Sequence, residues 1–244
     1  MGSLSIILPR NGRVPLLADS KQIVALLPMR HHSERVPGKN YRFFAGLPLY
    51  HHILRTLLSC ESIAQVVIDT DSPIISEEVA RIFPEIRLIE RPHHLRGGTT
   101  PTNEILLHDI SHLEGDFFLQ THCTNPLLRS ETVTRAIDSF FSNYPTFDSL
   151  FSVTRLQTRL WDQKGKPVNH DPDVLLRTQD LPPVYEENSN LYLFCRRTLE
   201  KRKNRLGDRP LMFEIDSLEA WDIDEELDFT VAEFLYLRRE KKGD

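Results

Sequence analysis

The sequence predicts an α/β fold with a mostly parallel sheet that is covered by helices on both faces. Two observations support this prediction. Short apolar runs typical of buried strands alternate with amphipathic segments of helical length along the first half of the chain. The length of 244 residues suits one large domain, and the 40% of apolar and 27% of charged residues are typical of globular proteins.

The first half of the chain supplies four strands and four helices in alternation. Apolar runs predict strands over residues 23–27, 65–69, 87–90 and 117–120. We expect Pro28 to end the first strand. Apolar residues at helical spacing predict helices over residues 48–60, 74–83, 102–113 and 130–141. In the fourth helix, Ser130 is the expected N-cap, and the inward face is expected to consist of Val133, Ala136, Ile137 and Phe140.

The pattern changes after residue 145. Strand-like segments over residues 150–153 and 191–194 flank a long polar stretch that is rich in Pro, Asp and Asn. A connection of that length is usually functional or serves as an arm in assembly. Residues 224–239 predict a final helix whose inward face is expected to consist of Leu227, Val231, Phe234 and Leu235.

Charge, hydropathy and cysteine usage argue against a nucleic-acid-binding, membrane-spanning or secreted protein. A net charge of −5 provides no basic footprint for nucleic acid. The longest apolar run, residues 23–27, is far shorter than the roughly 20 residues of a membrane span. Proline and arginine interrupt residues 1–20, which we interpret as an extension without a secretory signal. Three scattered cysteines predict free thiols in a reducing compartment, so we expect a cytoplasmic protein without membrane or nucleic-acid partners.

The loop after the first predicted strand carries the strongest candidate chemistry. In an open parallel sheet, ligands bind beyond the carboxyl ends of the strands. Residues 28–40 combine several cations with Ser33, Asn40 and a glycine, a set that suits a polyphosphate. The loop matches neither the GxGxxG nor the GxxxxGK[ST] pattern, which disfavours a nicotinamide-dependent oxidoreductase. On its residues alone, it could equally be a solvated basic loop.

Two further segments invite a functional interpretation. Asp222 and Asp224 are two residues apart, so in extended backbone both side chains could converge on one hard cation. Alternatively, Asp224 only caps the final helix. Residues 177–192 are polar and rigidified by prolines, which suits a polyhydroxylated or anionic substrate or a surface arm. His108 and His112 are spaced for a shared metal but lack the HExxH pattern, so we favour a helix-surface pair.

At residues 28–40 the sequence resembles a known family. The run Pro28-x-Arg30-x-x-Ser33-x-Arg35-Val36-Pro37-Gly38-Lys39-Asn40 is similar to the signature AR-x-x-SKR-[IL]-P-x-KN of the acylneuraminate cytidylyltransferases, which include the CMP-sialic acid and CMP-Kdo synthetases. Further family motifs match in order at residues 69–71, 91–95, 124–128, 179–182, 188–192 and 222–224.

This resemblance implies a Rossmann-like three-layer nucleotidyltransferase fold with a small dimerisation arm. Residues 21–244 would form the cytidylyltransferase domain, with 151–195 as the substrate and dimerisation segment. Such enzymes transfer CMP from CTP to an acidic sugar, a sialic-acid-like nonulosonate or a related 2-keto sugar acid, and release pyrophosphate. The resemblance also implies Mg²⁺ as cofactor and a homodimer.

Site residues follow from the resemblance by position. The implied nucleotide-binding residues are Arg30, Ser33, Lys39, Asn40, Arg91 and Thr102. The implied acceptor-binding residues are Gln120 or His122, Arg177, Gln179, Asn188 and Tyr192. Asp222 and Asp224 would bind the metal, and together with Arg30 and Lys39 they are the expected catalytic residues.

The sequence also departs from the family pattern. Glu34 replaces the lysine that precedes the signature's second arginine, which puts an anion where phosphate would be met. The acceptor therefore stays open between a nonulosonate, Kdo and a phosphonate. A member that binds nucleotide without catalysis is a further alternative.

Overall fold

A computed structural model describes residues 22–242 of the chain. The extension predicted over residues 1–20 lies outside the described residues. Within 22–242 the strands are β1 (Ile23–Met29), β2 (Phe43–Phe44), β3 (Leu47–Pro48), β4 (Ile63–Thr70), β5 (Arg87–Glu90), β6 (Phe117–Gln120), β7 (Ser149–Leu156), β8 (Val184–Cys195) and β9 (Pro210–Glu214). The α-helices are α1 (Leu49–Leu58), α2 (Pro73–Ile82), α3 (Thr102–Ser111), α4 (Ser130–Asn143), α5 (Arg196–Arg202) and α6 (Glu226–Lys242).

The described residues contain one seven-stranded sheet in the order β5-β4-β1-β6-β8-β7-β9, and β2 and β3 form a separate hairpin. Strand β8 pairs antiparallel with both neighbours, and every other pairing in the sheet is parallel. The carboxyl ends of β1, β4, β5 and β6 therefore meet at one edge. The predicted mostly parallel α/β sheet is confirmed.

Alternation along β1 separates the two faces of the sheet. Ile23, Ala25, Leu27 and Met29 pack in the core shared with α1, α2 and α4. Val24 and Leu26 face the opposite core, which includes residues of α3 and α5. The sheet thus lies between two helical layers, as the three-layer prediction requires.

Two local expectations, the end of β1 and the N-cap of α4, were wrong. Strand β1 does not end at Pro28 but continues to Met29, where it still pairs with β4. Pairing with β6 ends at Leu26, so Pro28, which has no N–H group, interrupts no hydrogen bond to β6. Ser130 is the first residue of α4, whose N-cap is Arg129 without a side-chain cap. The inward face of α4 is buried as predicted.

The inward face of α6 was also mispredicted. Phe229 and Ala232 are buried, whereas Leu227 and Phe234 are 72% and 61% exposed. Helix α6 packs on Val36, Phe44 and Ile223 rather than on the sheet, so the strongest apolar residues of its sequence do not mark its buried face. None of the helices within residues 22–242 is long and apolar enough to cross a membrane.

The segment predicted over residues 151–195 divides into two parts. Its ends are strands β7 and β8 of the central sheet. Residues 157–183 lie outside the sheet, with a single bridge between Trp161 and Pro167 and a short 3₁₀ helix at Thr178–Asp180. We call residues 157–183 the arm.

Candidate active site

A polar cavity of about 480 Å³ opens at the carboxyl edge of the sheet. Its walls come from the loop after β1, the loop before α3, the turn after β6 and the segment before α6. The polar and glycine residues that line it are Arg30, Ser33, Glu34, Arg35, Lys39, Asn40, Arg91, Gly97, Gly98, Thr100, Thr102, His122, Thr124, Ser189, Asp222 and Asp224. All six residues expected at the nucleotide side therefore line one cavity.

The loop after β1 is anchored rather than freely solvated. Val36 is fully buried, and Asn40 donates a hydrogen bond to the Arg30 carbonyl at 2.7 Å and accepts one from the Cys123 thiol at 3.0 Å. Gly38 has φ +67°, and a Cβ there would lie 3.0 Å from the Tyr41 ring, so both conformation and space favour glycine. The alternative of a purely solvated basic loop is therefore disfavoured.

Lys39 joins this loop to the segment before α6. Its side chain is only 12% exposed, and its ammonium donates to the Ile223 carbonyl and lies 4.0 Å from the Asp224 carboxylate. Ile223 is buried, and its N–H donates to the Thr124 carbonyl at 2.9 Å. Because Ile223 points into the core, the residues on either side of it, Asp222 and Asp224, both line the cavity.

The two aspartates have different surroundings. Burial raises the pKa of Asp222, an effect that its hydrogen bond with Thr124 partly offsets. The Asp224 carboxylate is about half exposed and accepts from Arg35 at 2.5 Å. The N–H groups of Asp224 and Glu225 donate to the carboxylate of Asp228, at 3.1 and 2.8 Å. Among the described residues, no helix N–H donates to the Asp224 carboxylate, so the pure capping interpretation loses support.

Arg91 reaches the cavity from a buried acidic cluster. Its guanidinium binds Asp69, and both side chains are at least 96% buried. Asp69 is hydrogen-bonded to Asp109 of α3, which is also buried. Burial and the neighbouring Asp69 charge raise the pKa of Asp109 to about 9, so Asp109 holds the proton while Asp69 pairs with Arg91.

Glu34 lines the cavity next to Gly98. A Cβ on Gly98 would lie 3.0 Å from a Glu34 carboxylate oxygen and 3.5 Å from an Arg30 guanidinium nitrogen. Glu34, the acidic residue that departs from the family signature, therefore lies beside Arg30. Gly98 has no side chain, which leaves room for the Glu34 carboxylate.

The ambiguity between Gln120 and His122 has a structural explanation. The two side chains contact each other, with 3.0 Å between Gln120 Nε2 and His122 Nε2, and His122 lines the cavity. The Gln120 side-chain oxygen accepts from Arg205, whose guanidinium stacks on the Tyr192 ring. Burial lowers the pKa of His122 to about 4, with further lowering by Arg205 and Lys39, so the imidazole is neutral at physiological pH.

Four residues expected at the acceptor, Arg177, Gln179, Asn188 and Tyr192, are not among those that line this cavity, and of Gln120 and His122 only His122 lines it. Arg177 is exposed and paired with Asp180 at 2.6 Å within the arm, and Gln179 lies in the arm's 3₁₀ helix. Asn188 bridges β7 and β8, accepting from Ser152 at 2.6 Å and donating to Thr154 at 3.0 Å. The acceptor roles of these residues stay predictions.

Sequence reasoning missed Asp109 and Arg205. Asp109 follows His108 in a helix that carried no predicted site residue near it, and Arg205 lies in a basic run, residues 201–205, that is typical of a solvated surface. No local pattern indicates that either side chain packs beside a site residue. The glycine and proline that follow Arg205, at 207 and 210, indicate a loop but not its direction.

The described residues contain one group of three potential metal ligands, Asp69, His108 and Asp109, whose ligand atoms lie within 4.8 Å of one another. Arg91 already neutralises Asp69 in that group. His108 and His112 lie on the same helix end, with ring centroids 4.5 Å apart.

Comparisons with known proteins agree with this geometry. The family model described as cytidylyltransferase matches residues 24–241. N-acylneuraminate cytidylyltransferase A of Danio rerio is 26% identical over 93% of this chain and 54% of its own length. The chain thus spans about half the length of that relative. CMP-N,N'-diacetyllegionaminic acid synthase of Legionella pneumophila is 26% identical over 88% of this chain and 96% of its own length.

Solved structures support the fold. The chain superposes on a CMP:2-keto-3-deoxy-manno-octonic acid synthetase complexed with CTP with a TM-score of 0.65, at 16% identity over 89% of this chain and 99% of that chain. A 4-diphosphocytidyl-2C-methyl-D-erythritol synthase from Anaerococcus prevotii gives a TM-score of 0.66 at 13% identity over 90% of this chain and 97% of that chain. The nucleotidyltransferase fold expected from the sequence is confirmed.

Proposed function

Because this chain belongs to the cytidylyltransferase family, we propose that it transfers CMP from CTP to an acidic sugar and releases pyrophosphate. The acceptor is a sialic-acid-like nonulosonate or a related 2-keto sugar acid. One observation carries the proposal: cations of the loop after β1 and carboxylates of the segment before α6 line the same cavity. Relatives that match most of this chain, named for N-acylneuraminate and N,N'-diacetyllegionaminic acid, support an acidic acceptor.

The triphosphate binds at the loop after β1. Arg30 offers a bidentate fork and Lys39 a point charge, and both line the cavity with Ser33 and Asn40. Lys39 is held by the Ile223 carbonyl, so its ammonium is oriented before the nucleotide arrives. Arg91, fixed by Asp69, and Thr102 complete the nucleotide side.

Asp222 and Asp224 fit a divalent cation. Mg²⁺ prefers hard oxygen donors, usually one or two carboxylates together with substrate phosphates. The half-buried Asp222 carboxylate gains from a nearby cation, because its loss of hydration raises its pKa. When bound, Mg²⁺ supplies charge neutralisation on the phosphate oxygens. The Asp69 group fits less well, because its pair with Arg91 is buried, whereas the Arg35 partner of Asp224 is exposed and can move aside for a cation.

The reaction asks the protein for position and charge rather than covalent chemistry. A hydroxyl oxygen of the acceptor forms a bond to the α-phosphorus of CTP while the bond to the oxygen that bridges to the β-phosphorus breaks. The hydroxyl proton leaves to solvent, and pyrophosphate departs. Arg30 and Lys39 hold the departing phosphates as negative charge develops there.

A pyrophosphate-release assay tests the proposal. The protein is incubated with CTP and Mg²⁺ and with a panel of N-acetylneuraminic acid, Kdo, other 2-keto sugar acids and phosphonates. Pyrophosphate release that requires one of the sugar acids, with the matching CMP-sugar found by mass spectrometry, supports it. Release with a phosphonate alone would replace the acceptor class. CTP binding without release for any acceptor would leave a nucleotide-binding protein.

We propose further that the protein is a cytoplasmic homodimer assembled through the arm. Trp161, Val168 and Leu175 of the arm are at least half exposed, an unusual density of apolar surface on a short segment. The three cysteines are free and buried, as in a reducing compartment. Analytical ultracentrifugation tests the dimer: Trp161→Ser with Leu175→Ser would shift it to monomer, and an unchanged sedimentation coefficient would remove the arm as the interface.

A further inference from the structure

Arg205 lies in the loop between α5 and β9, and its environment is unusual for an arginine. Its guanidinium carbon is 3.4 Å from the centroid of the Tyr192 ring, and one of its N–H groups donates to the Gln120 side-chain oxygen. Both of those partners are fully buried. Burial lowers the pKa of Arg205, which means that the cation has lost part of its hydration.

This cation lacks a direct counter-ion. Within residues 22–242, no carboxylate oxygen lies within 4.0 Å of the half-buried Arg205 guanidinium, whereas the buried Arg91 is paired with Asp69. The Glu187 carboxylate accepts a hydrogen bond from the Tyr192 hydroxyl. Its negative charge therefore raises the pKa of Arg205 without a direct contact. A cation that has lost part of its hydration and has only neutral contact partners gains from an anionic ligand.

Both partners of Arg205, Gln120 and Tyr192, contact residues that line the cavity. Gln120 contacts His122, which lines the cavity, and the Tyr192 hydroxyl lies 3.2 Å from the hydroxyl of Ser189, which also lines it. The charges of Arg205 and Lys39 both lower the pKa of the half-buried His122 imidazole, so both cations act on one cavity residue. Lys39 belongs to the end of the cavity that we assign to the triphosphate.

We propose that Arg205 binds the carboxylate of the acceptor and so selects acidic sugars. This inference rests on the proposed function and adds the residue that recognises the acid. A planar fork suits a carboxylate through two parallel hydrogen bonds. The Tyr192 ring holds the guanidinium plane, so the fork is oriented before the acceptor binds.

A discrimination assay tests the assignment. Wild type, Arg205→Met and Arg205→Lys are assayed with CTP and with N-acetylneuraminic acid, or the fastest acid of the acceptor panel, and with the C1 carboxamide of the same sugar. In wild type the acid exceeds the amide in kcat/KM by about 30-fold or more, the size of a buried charge pair. In Arg205→Met the acid loses that advantage and the ratio approaches one, while the KM for CTP stays within about threefold. Arg205→Lys restores part of the ratio.

A purely structural role gives a different result. If Arg205 only holds Gln120 and Tyr192, its variants lose activity with acid and amide equally, the ratio persists, and the assignment is overturned. Arg197→Gln, an exposed arginine of α5, is the matched loss of one charge and keeps the wild-type ratio. If wild type releases no pyrophosphate with any acid, the proposed function fails and this inference with it. If wild type is active and Arg205→Met keeps the ratio, only the Arg205 assignment fails.

Discussion

Two pairs of aspartates lie beside the same cavity and differ in how their charge is neutralised. Asp69 and Asp109 are both about 99% buried, and an arginine and a shared proton neutralise them. Asp222 and Asp224 line the cavity itself, and Arg35 and Lys39 reach only Asp224 within 4.0 Å. We call Asp69 and Asp109 the closed pair, because groups of the chain itself neutralise their charge. We call Asp222 and Asp224 the open pair, because the half-buried Asp222 carboxylate has no cationic side chain within 4.0 Å and a cation can bind there. Adjacent carboxylates are thus informative about function only when their existing partners are counted.

The largest expected effect is the loss of stability when the closed pair, Asp69 and Asp109, is disrupted. Asp69→Asn leaves the buried Arg91 without its counter-ion, so we expect a loss of about 3–5 kcal/mol in the free energy of unfolding. Urea denaturation measures it. Glu90→Gln, which removes an exposed partner of Arg96, is the control and should change stability by less than about 0.5 kcal/mol. A loss below about 1 kcal/mol for Asp69→Asn would mean that Arg91 does not depend on this pair.

The open pair should affect catalysis rather than folding. Asp222→Asn or Asp224→Asn should lower kcat by about a hundredfold, as expected when one preorganised electrostatic group is lost. Stability without metal should be unchanged or slightly higher, because a buried, repelling charge is removed. Steady-state kinetics and denaturation are compared with Glu225→Gln, an exposed neighbour. Wild-type turnover in both aspartate variants would leave Asp224 a structural residue only.

The next largest effect is expected for the cations Arg30 and Lys39, which line the same cavity as the open pair. Arg30→Ala and Lys39→Ala should each lower kcat/KM for CTP at least about tenfold, because both line the part of the cavity to which we assign the triphosphate. Lys39→Ala also frees the Ile223 carbonyl and should cost about 1 kcal/mol of stability, while Arg30→Ala should be nearly neutral. Lys164→Ala in the arm is the charge-matched control. CTP turnover equal to wild type in both variants would remove this loop as the phosphate site.

The pH dependence of stability gives the sharpest test of the closed pair, with Asp109→Asn as the variant. In the folded protein Asp109 keeps its proton up to a pKa of about 9, whereas its ordinary value is 3.8, so wild type loses stability as pH rises between these values. Asparagine donates the same hydrogen bond to Asp69 without a proton to lose. The variant should match wild type near pH 4 and become relatively more stable towards pH 9. Parallel stability curves in denaturation at pH 4, 7 and 9 would contradict a shared proton.

How far the sequence predicts this molecule depends on the range over which each feature is encoded. Strands β4, β5 and β6 and helices α1 to α4 were predicted because their apolar periodicity is local. Strand β9 and the β2–β3 hairpin were missed, since the hairpin strands have two residues each and β9 has alternately half-buried side chains. The antiparallel direction of β8 depends on its partners β6 and β7, which no local pattern specifies.

The candidate site divides in the same way. The loop after β1 and Asp222 and Asp224 carry their chemistry in consecutive residues, so a motif could indicate them. Arg205 gains its significance from Gln120 and Tyr192, which precede it by 85 and 13 residues and contact it only after folding. The resemblance implied acceptor roles for the arm residues Arg177 and Gln179, yet within the single chain their bonds remain in the arm.

Calorimetric titration of CTP into the protein, with and without Mg²⁺, tests the contrast between the two pairs most directly. The account predicts that Mg²⁺ tightens CTP binding to wild type and to Asp109→Asn by the same factor, and that Asp222→Asn loses this response while remaining folded. An Mg²⁺ response that survives in Asp222→Asn, or one that disappears in Asp109→Asn, would contradict it.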